Sequence, residues 1–345
     1  MKSCKMGGQA VIEGVMMRYK NNVAVSVRKP DGDISVGYMK YNNISDTHPI
    51  LKKPIIRGVV AFIDSLSLGI RTLMYSASIF EEEAPEDGGK KDEGQAQVIK
   101  ESMNKKETSK GEAALMTGTV MFSLVVSVAL FVLLPYFVSS LITRFTDSTA
   151  ILAVVEGIIK VGIFIGYLAV ISLMPDIKRT FMYHGSEHKC INCVEKGRPL
   201  TVHDVMHSSR QHKRCGTSFI FFVMIVSIIL FFFIRVDNVV EKVVLRVLLM
   251  PVVAGISYEI IRLAGRSDNL FVNILSAPGM LIQRLTTREP DEDMVEVAIA
   301  AVEAVFDWKA YLKDNFGYEV DDSWMKDTSQ DAEDDERMDE TVQKA

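Results

Sequence analysis

The segment YHGSEHKCINC, residues 183–193, places two histidines, a glutamate and two cysteines within eleven positions. His184 and His188 are four residues apart, so on a helix their imidazoles would share one face. Glu187 lies between them and completes an H-x-x-E-H pattern, which in one class of metallopeptidase sets two zinc ligands beside a glutamate base. The pattern predicts a hydrolytic metal site with Glu187 as general base, although Gly185 weakens the helix that it needs.

A second group of possible ligands follows in HKRCGTSF, where His212 and Cys215 are three residues apart. Together with His184 and His188 they would offer Zn²⁺ the mixture of nitrogen and sulfur ligands that suits it. The sequence therefore predicts a divalent metal, zinc before others, as cofactor. A second interpretation stays open: the histidines contact anionic lipid headgroups, and Cys215 is a small buried residue.

The other histidines and cysteines of this window are predicted to lie outside the site. His203 and His207 follow Thr201, a suitable helix cap, and a solvated helix face accounts for both of them. Cys190 and Cys193 form a single C-x-x-C, and the chain has no second such pair for a four-cysteine zinc ribbon. We expect both cysteines to be structural.

The elements that must position these residues are predicted to be membrane helices. The hydrophobic fraction is 48%, the apolar residues come in long blocks, and the mean hydropathy is +0.16. A hydrocarbon core about 30 Å thick needs about 20 apolar residues in a helix. Four spans are predicted, at 114–142, 151–174, 216–234 and 243–263. The lipid bilayer is the expected partner, and a net charge of −5 gives no reason to expect nucleic acid.

Lysine and arginine in the loops between the spans predict the orientation. Loop 175–215 carries eight of them, whereas the loop at 143–150 carries only Arg144. Cytoplasmic loops have an excess of these residues, so loop 175–215 is expected in the cytoplasm. With four spans, both termini are then cytoplasmic as well.

Before the spans, the sequence predicts a small cytoplasmic module and one helix. Residues 1–50 contain alternating runs, Val23–Val27 and Ile34–Tyr41, around a Pro-Asp-Gly-Asp turn, which indicates a β-hairpin. Residues 54–80 have the pattern of an amphipathic helix that either packs on the spans or lies in the membrane interface. The charged segment 81–112 is predicted to be a flexible linker.

After the bundle at 114–285, residues 286–318 are predicted to form a cytoplasmic amphipathic helix, and 319–345 an acidic disordered tail. The predicted fold class is therefore mainly α. It is a polytopic membrane helical bundle with about four transmembrane helices, a small N-terminal β-hairpin module and a C-terminal cytoplasmic helix.

Five motifs in order make the sequence similar to the YqhQ family: GGQAVIEGVMMR, YHGSEHK, HKRCGTSF, SYEIIRLAG and LTTREPDEDMVEVAI. The resemblance runs from about residue 5 to 306 and leaves out most of the charged linker. Members are bacterial integral membrane proteins of a class of unknown function, often labelled metal-dependent enzymes. The resemblance thus implies a multi-pass protein of the bacterial cytoplasmic membrane with a metal-dependent activity, and it supplies no substrate.

The family's motifs fall on the same residues that their chemistry singled out. Its H-G-x-E-H motif begins at His184, and its H-x-R-C-G-T-S-F motif begins at His212 and contains Cys215. Its N-terminal motif contains Glu13 and Arg18, which are expected to complete a catalytic pocket because nearby glycines allow close backbone approach. Members typically have proline at the position of Lys213, a difference that alters the turn but removes no ligand.

Two functions stay open at this point. In the first, three protein ligands leave one metal position free, and the protein is a hydrolase of a membrane-associated substrate. In the second, four protein ligands close the site and the metal is structural. The protein would then be a non-enzymatic membrane scaffold or an assembly factor for other membrane proteins.

Overall fold

The computed structural model of the protein describes residues 3–44, 48–81, 118–119, 121–123, 125–127, 129–141, 148–233, 239–264 and 269–317. Within these ranges the chain is mainly helical and has one small antiparallel sheet near its N terminus, as predicted. Apart from Glu81, the predicted linker 81–112 and the tail 319–345 lie outside the described residues.

The sheet has four strands in sequential order: β1 (Gly7–Val11), β2 (Gly14–Tyr19), β3 (Asn22–Arg28) and β4 (Ile34–Lys40). The predicted hairpin is β3 with β4, and it is confirmed. The sequence did not predict β1 and β2. Their two-residue turn depends on Glu13 at φ 48°, a conformation that glutamate rarely adopts and that propensity does not reveal.

Helix α1 (Ile56–Glu81) covers one face of the sheet and corresponds to the predicted helix 54–80. Its Leu68 and Tyr75 pack in one buried cluster with Val11 and Val25. The neighbouring residues of each strand point to the other face, because successive strand side chains alternate. There Val15 and Met17 join a larger core that contains residues of the C-terminal helices.

The apolar helices after α1 include α2 (Leu134–Ser140), α3 (Thr149–Ile171), α6 (Gly216–Phe233) and α7 (Val239–Ala264). A π-helical turn, Ala129–Leu133, precedes α2. Between α3 and α6 lie α4 (Pro175–Glu195) and α5 (Val202–Met206). The chain continues with α8 (Leu270–Thr286), α9 (Glu292–Val305) and α10 (Trp308–Phe316).

By length and composition, three helices of the described residues could cross a membrane: Ile56–Ile79, Val154–Ile171 and Gly216–Phe233. The last two match predicted spans, whereas the first is α1, which the sequence placed outside the bundle. Predicted span 114–142 lies partly outside the described residues, and of its residues, 121–123 and 125–127 are helical. Helix α7 covers predicted span 243–263 and carries Glu259, which pairs with Arg57 of α1.

The interval 175–215, predicted as the polar segment between two spans, contains two helices, and the first of them carries His184 and His188 as their spacing predicted. Residues Pro175–Glu195 form helix α4, which begins with a proline at its first turn, where the missing N–H costs nothing. The predicted helix 286–318 is two helices, α9 and α10. The interruption has a local cause, since Asp307 caps α10 by accepting a hydrogen bond from Ala310 N at 2.9 Å.

Candidate metal centre

Helix α4 presents His184, Glu187 and His188 on one side, as their spacing requires. Gly185 lies between them because the chain after α8 crosses the helix there. A Cβ at Gly185 would collide with the carbonyl oxygen of Arg288, and Arg288 N donates to Phe181 O at 2.9 Å. The glycine that weakens the helix in the sequence is thus the residue that allows this crossing.

Both imidazoles are oriented by main-chain carbonyls. Nδ1 of His184 lies 2.9 Å from Thr286 O, and Nδ1 of His188 lies 2.7 Å from Arg210 O. A carbonyl oxygen only accepts, so each Nδ1 carries hydrogen and donates. This arrangement leaves Nε2 of each ring for a proton or a metal, as in most histidines that bind metals.

Cys215 brings a thiol to the same point from the residue before α6. Its Sγ lies 3.3 Å from Nε2 of His184 and 2.9 Å from Oγ1 of Thr217. One ligand atom from each of His184, His188 and Cys215 lies within 4.8 Å of the others. We call these three residues the ligand group. Nitrogen and sulfur donors at this spacing could hold a metal ion.

The charges of the ligand group agree with this assignment. Burial raises the pKa of the Cys215 thiol, but the neighbouring His184 and His188 outweigh burial and bring this pKa well below its usual value. Burial lowers the pKa of His184, yet Cys215 outweighs it and raises this pKa to about 9. The metal-free pair is therefore thiolate and imidazolium, and a metal would take the place of the imidazolium proton.

A cavity of about 90 Å³ opens beside the ligand group, and Glu187 and the main chain of Gly7 and Gly8 also line it. Oε2 of Glu187 lies 3.9 Å from Nε2 of His184. An ideal Cβ on Gly8 would lie 2.6 Å from Cγ of Glu187, so only glycine fits there. The edge strand β1 therefore holds the Glu187 carboxylate against the cavity.

His212 is near the ligand group but outside it. Its ring centroid lies 5.7 Å from that of His188, while its Nε2 lies 3.5 Å from Oε2 of Glu195. Its main chain is held by Gln283, which accepts from His212 N and donates to His212 O, both at 2.8 Å. The structure thus places this predicted ligand in the cavity wall, paired with Glu195.

Glu13 and Arg18 lie away from the cavity lining. Glu13 pairs with Arg179 and accepts from the Tyr183 hydroxyl at 3.3 Å, so it connects the β1–β2 turn to α4. Arg18 lies 3.8 Å from Asp64 and stacks over Tyr41, which belongs to the chain after β4. Their catalytic roles stay predictions, and the contacts that the structure gives them are structural.

The remaining histidines and cysteines of the window lie where the sequence placed them, outside the ligand group. His203 and His207 stack on each other at 4.4 Å, and Thr201 caps their helix by accepting from Asp204 N. Cys190 and Cys193 are fully buried in the core. Burial raises the pKa of Cys193 to about 12 and that of Cys190 well above its usual value.

Sequence reasoning missed several residues that complete the site. The carbonyls of Thr286 and Arg210 orient the histidines, and Glu195 and Gln283 hold His212. The acceptors at Thr286 and Arg210 are main-chain carbonyls, which every residue has. The side-chain types at these two positions therefore gave no signal. Gly8 did have one, because it is part of the glycine-rich motif GGQA.

Comparisons with known proteins identify the family of the chain. A family model described as "Protein of unknown function (DUF1385)" matches residues 53–308, which include the whole ligand group. The chain is 34% identical over 317 residues to "Uncharacterized protein YqhQ" of Bacillus subtilis (strain 168), covering 90% of this chain and 94% of that protein. No solved structure matches the chain. With its motifs, the family match and this relative in agreement, the chain belongs to the YqhQ family, whose function is unknown.

Proposed function

We propose that this protein is a metal-dependent hydrolase of the cytoplasmic membrane, with zinc held by the ligand group on the cytoplasmic side. One observation carries the proposal. Two imidazoles, each already fixed through Nδ1, present Nε2 beside a thiolate, and the carboxylate of Glu187 lies next to them at an open cavity. A ligand set with a neighbouring base and space for a substrate supports catalysis.

The number of protein ligands favours an enzyme over a structural metal. Structural zinc has four protein ligands, whereas catalytic zinc has three and a free position. The fourth candidate, His212, faces Glu195 instead. A closed site would need the ring of His212 to leave Glu195, which also binds Arg214 and accepts from Cys4 N at 2.8 Å.

In this proposal each residue has one task. Bound zinc would supply Lewis-acid chemistry, which polarises the bond to be cleaved and makes water more acidic. The Glu187 carboxylate accepts the proton of the attacking water and returns it to the leaving group. Arg214 lines the same cavity and places positive charge near the negative charge that develops on the substrate.

The position of the site indicates an amphiphilic or membrane-bound substrate. Cys215 directly precedes α6, one of the helices that could span the membrane, so the cavity lies where the chain enters the apolar region. The cytoplasmic side follows from the lysines and arginines between α3 and α6.

A second candidate is a cysteine hydrolase that needs no metal. The 3.3 Å contact between Cys215 Sγ and His184 Nε2, with His184 oriented by Thr286, is the geometry of an activated cysteine nucleophile. The metal proposal has the stronger support, because a catalytic pair of Cys215 and His184 gives no role to His188, whose imidazole is also oriented by a main-chain carbonyl.

The deciding experiment is metal analysis by mass spectrometry of the detergent-purified protein. The wild type and Glu187→Gln should hold about one zinc ion per chain, and His184→Ala/His188→Ala should hold none. Substrates presented in vesicles should be cleaved by the wild type and not by Glu187→Gln. A folded, metal-free wild type whose activity survives chelators but not iodoacetamide would establish the cysteine hydrolase instead.

In the same experiment, His212→Ala separates three protein ligands from four. If zinc is catalytic, this variant keeps its metal, because His212 only lines the cavity. Loss of the metal from His212→Ala, together with unchanged behaviour of Glu187→Gln, would favour a structural site and a scaffold function.

A further inference from the structure

Helix α1 has two apolar sides, and the residues that the structure describes cover only one of them. On the uncovered side, six large apolar residues are each 42–53% exposed: Phe62, Ile63, Leu66, Ile70, Leu73 and Met74. At 100° per residue they lie within an arc of about 120°, so they form one continuous stripe. An exposed apolar stripe of this length indicates a surface that contacts a membrane or another protein.

The covered side of α1 packs on the β-sheet. Leu68 and Tyr75 belong to the core beneath the sheet, and Gly69 allows Gln9 of β1 to come close, since a Cβ there would lie 2.5 Å from Gln9 Oε1. Asp64 also faces this side and accepts from the Tyr41 hydroxyl at 2.8 Å. The sheet therefore packs against α1 along most of the length of this helix.

This packing is incompatible with a membrane-crossing α1. If α1 crossed the bilayer, the sheet would lie in hydrocarbon with it. An open sheet has edge N–H and C=O groups without partners, and each such group costs several kcal/mol in lipid. By composition alone α1 is a candidate span, because both of its sides are apolar. One side packs on the sheet, and the other side is the exposed stripe.

The first turns of α1 contact two of the apolar helices, α7 and α6. Gly58 packs on Gly255 of α7, where a Cβ on Gly58 would lie 2.8 Å from Gly255 Cα. Phe62, the first residue of the stripe, contacts Phe219 near the start of α6 with 5.6 Å between ring centroids. The stripe is thus continuous with an apolar surface at the level where α6 enters the membrane.

From these contacts we infer that α1 lies in the plane of the bilayer, with its stripe in the interface between headgroups and acyl chains. Exposed cationic residues, Lys53 before the helix and Arg71 beside the stripe, would contact anionic headgroups. Such a position places the sheet directly on the membrane surface. The Glu187 carboxylate, which β1 holds through Gly8, is then at the surface as well.

The test measures the depth of single residues of α1 in vesicles. Cysteines replace Ile63, Leu66, Ile70 and Met74 one at a time and carry a bimane fluorophore, and quenching by lipids spin-labelled at defined depths is recorded. The unsubstituted chain is labelled in parallel, and its signal, which includes the label on the reactive Cys215, is subtracted as background. Ser65→Cys is the matched control, because Ser65 is exposed on the same helix but outside the stripe.

An in-plane helix predicts that all four stripe positions are quenched most strongly by the shallow spin label and lie within about 5 Å of one depth. Ser65→Cys should be quenched less than its neighbour Leu66→Cys. A steady change of depth of about 16 Å from Ile63 to Met74 would show a crossing helix and overturn the inference. Absence of lipid quenching at all four positions would overturn it too, since a second copy or another protein would then cover the stripe.

Discussion

Nε2 of His184 and Sγ of Cys215 lie 3.3 Å apart, although 31 positions separate the two residues in the chain. The contact forms because the segment after α5 returns past α4 before α6 begins. It changes the chemistry of both groups: the pKa of Cys215 falls well below that of a free thiol, and the pKa of His184 rises to about 9. This pair distinguishes Cys215 from the other cysteines.

At pH 7, metal-free protein should therefore be alkylated by iodoacetamide at Cys215. Burial raises the pKa of Cys4 and Cys193 to about 12 and that of Cys190 well above normal, so these three stay thiols and react slowly. Zinc added before the reagent should protect Cys215. Peptide mass spectrometry measures the labelling of each cysteine, and equal labelling of all four, or labelling of Cys215 that zinc does not reduce, would refute the assignment.

Two adjacent glycines provide a matched test of how β1 positions Glu187. Gly8→Ala would place a Cβ 2.6 Å from Cγ of Glu187 and displace the carboxylate, whereas a Cβ at Gly7 meets open space. Displacing a catalytic group by about 1 Å can cost about 100-fold in rate. We expect Gly8→Ala to lose activity to this extent with its zinc retained, and Gly7→Ala to resemble the wild type.

The measurement for the two glycine variants is turnover of the substrate found with vesicles, beside zinc content and thermal unfolding. If Gly7→Ala loses as much activity as Gly8→Ala, the effect belongs to the strand and not to the contact with Glu187. Equal and full activity of both variants would remove Glu187 from the mechanism.

Gly185→Ala tests the crossing of α4 by the chain after α8. A Cβ at this position would meet the Arg288 carbonyl, and the shift needed to avoid it would pull Thr286 away from His184. Loss of such a histidine partner typically weakens metal binding 10- to 100-fold. We expect this loss of zinc affinity, measured by competition with a chelating dye, together with a lower melting temperature.

Gly166→Ala in α3 is the control for Gly185→Ala, because nothing lies within 4 Å of a Cβ at Gly166. It should leave zinc affinity and melting temperature unchanged. Unchanged zinc affinity in Gly185→Ala would mean that the Thr286 carbonyl does not orient His184.

Local spacing made part of the site predictable. His184 and His188 needed only a helix, and Cys215 was selected because it lies three residues after His212. His212 was chosen for the same reasons, yet its ring faces Glu195, a residue of the same helix as His184 that spacing did not select. Which ring reaches the ligand group depends on tertiary partners, and these leave no periodic pattern.

In the fold as well, features set by local sequence were predictable and features set by tertiary contacts were not. The β3–β4 hairpin has a turn sequence that local chemistry explains, whereas the β1–β2 turn uses Glu13 in a left-handed conformation. The helix at α1 was predicted from its pattern, but the pattern could not say which apolar side meets the sheet. In the polar interval 175–215, the spacing of His184 and His188 predicted a helix, but it could not predict the length of the helix or its burial against α9 and α10.

The buried carboxylate of Glu195 predicts how stability depends on pH. Burial raises its pKa, but the hydrogen bond to His212 and the charge of Arg214 outweigh burial and bring the pKa to about 2. A folded pKa below the unfolded value means that folding favours the ionised form. This stabilisation is complete above about pH 4.5 and is lost as the pH falls towards about 2.

Glu195→Gln should therefore lower the free energy of unfolding at pH 7 by about 2 to 3 kcal/mol. It should also reduce the loss of stability that the wild type shows between pH 4.5 and the lowest accessible pH. Thermal unfolding in detergent at a series of pH values measures both effects. Glu296→Gln is the control, because Glu296 pairs with Arg28 at the surface and is 50% exposed. Its effect should be below about 1 kcal/mol, and a Glu195→Gln effect equally small would mean that Glu195 does not hold His212 and Arg214 in place.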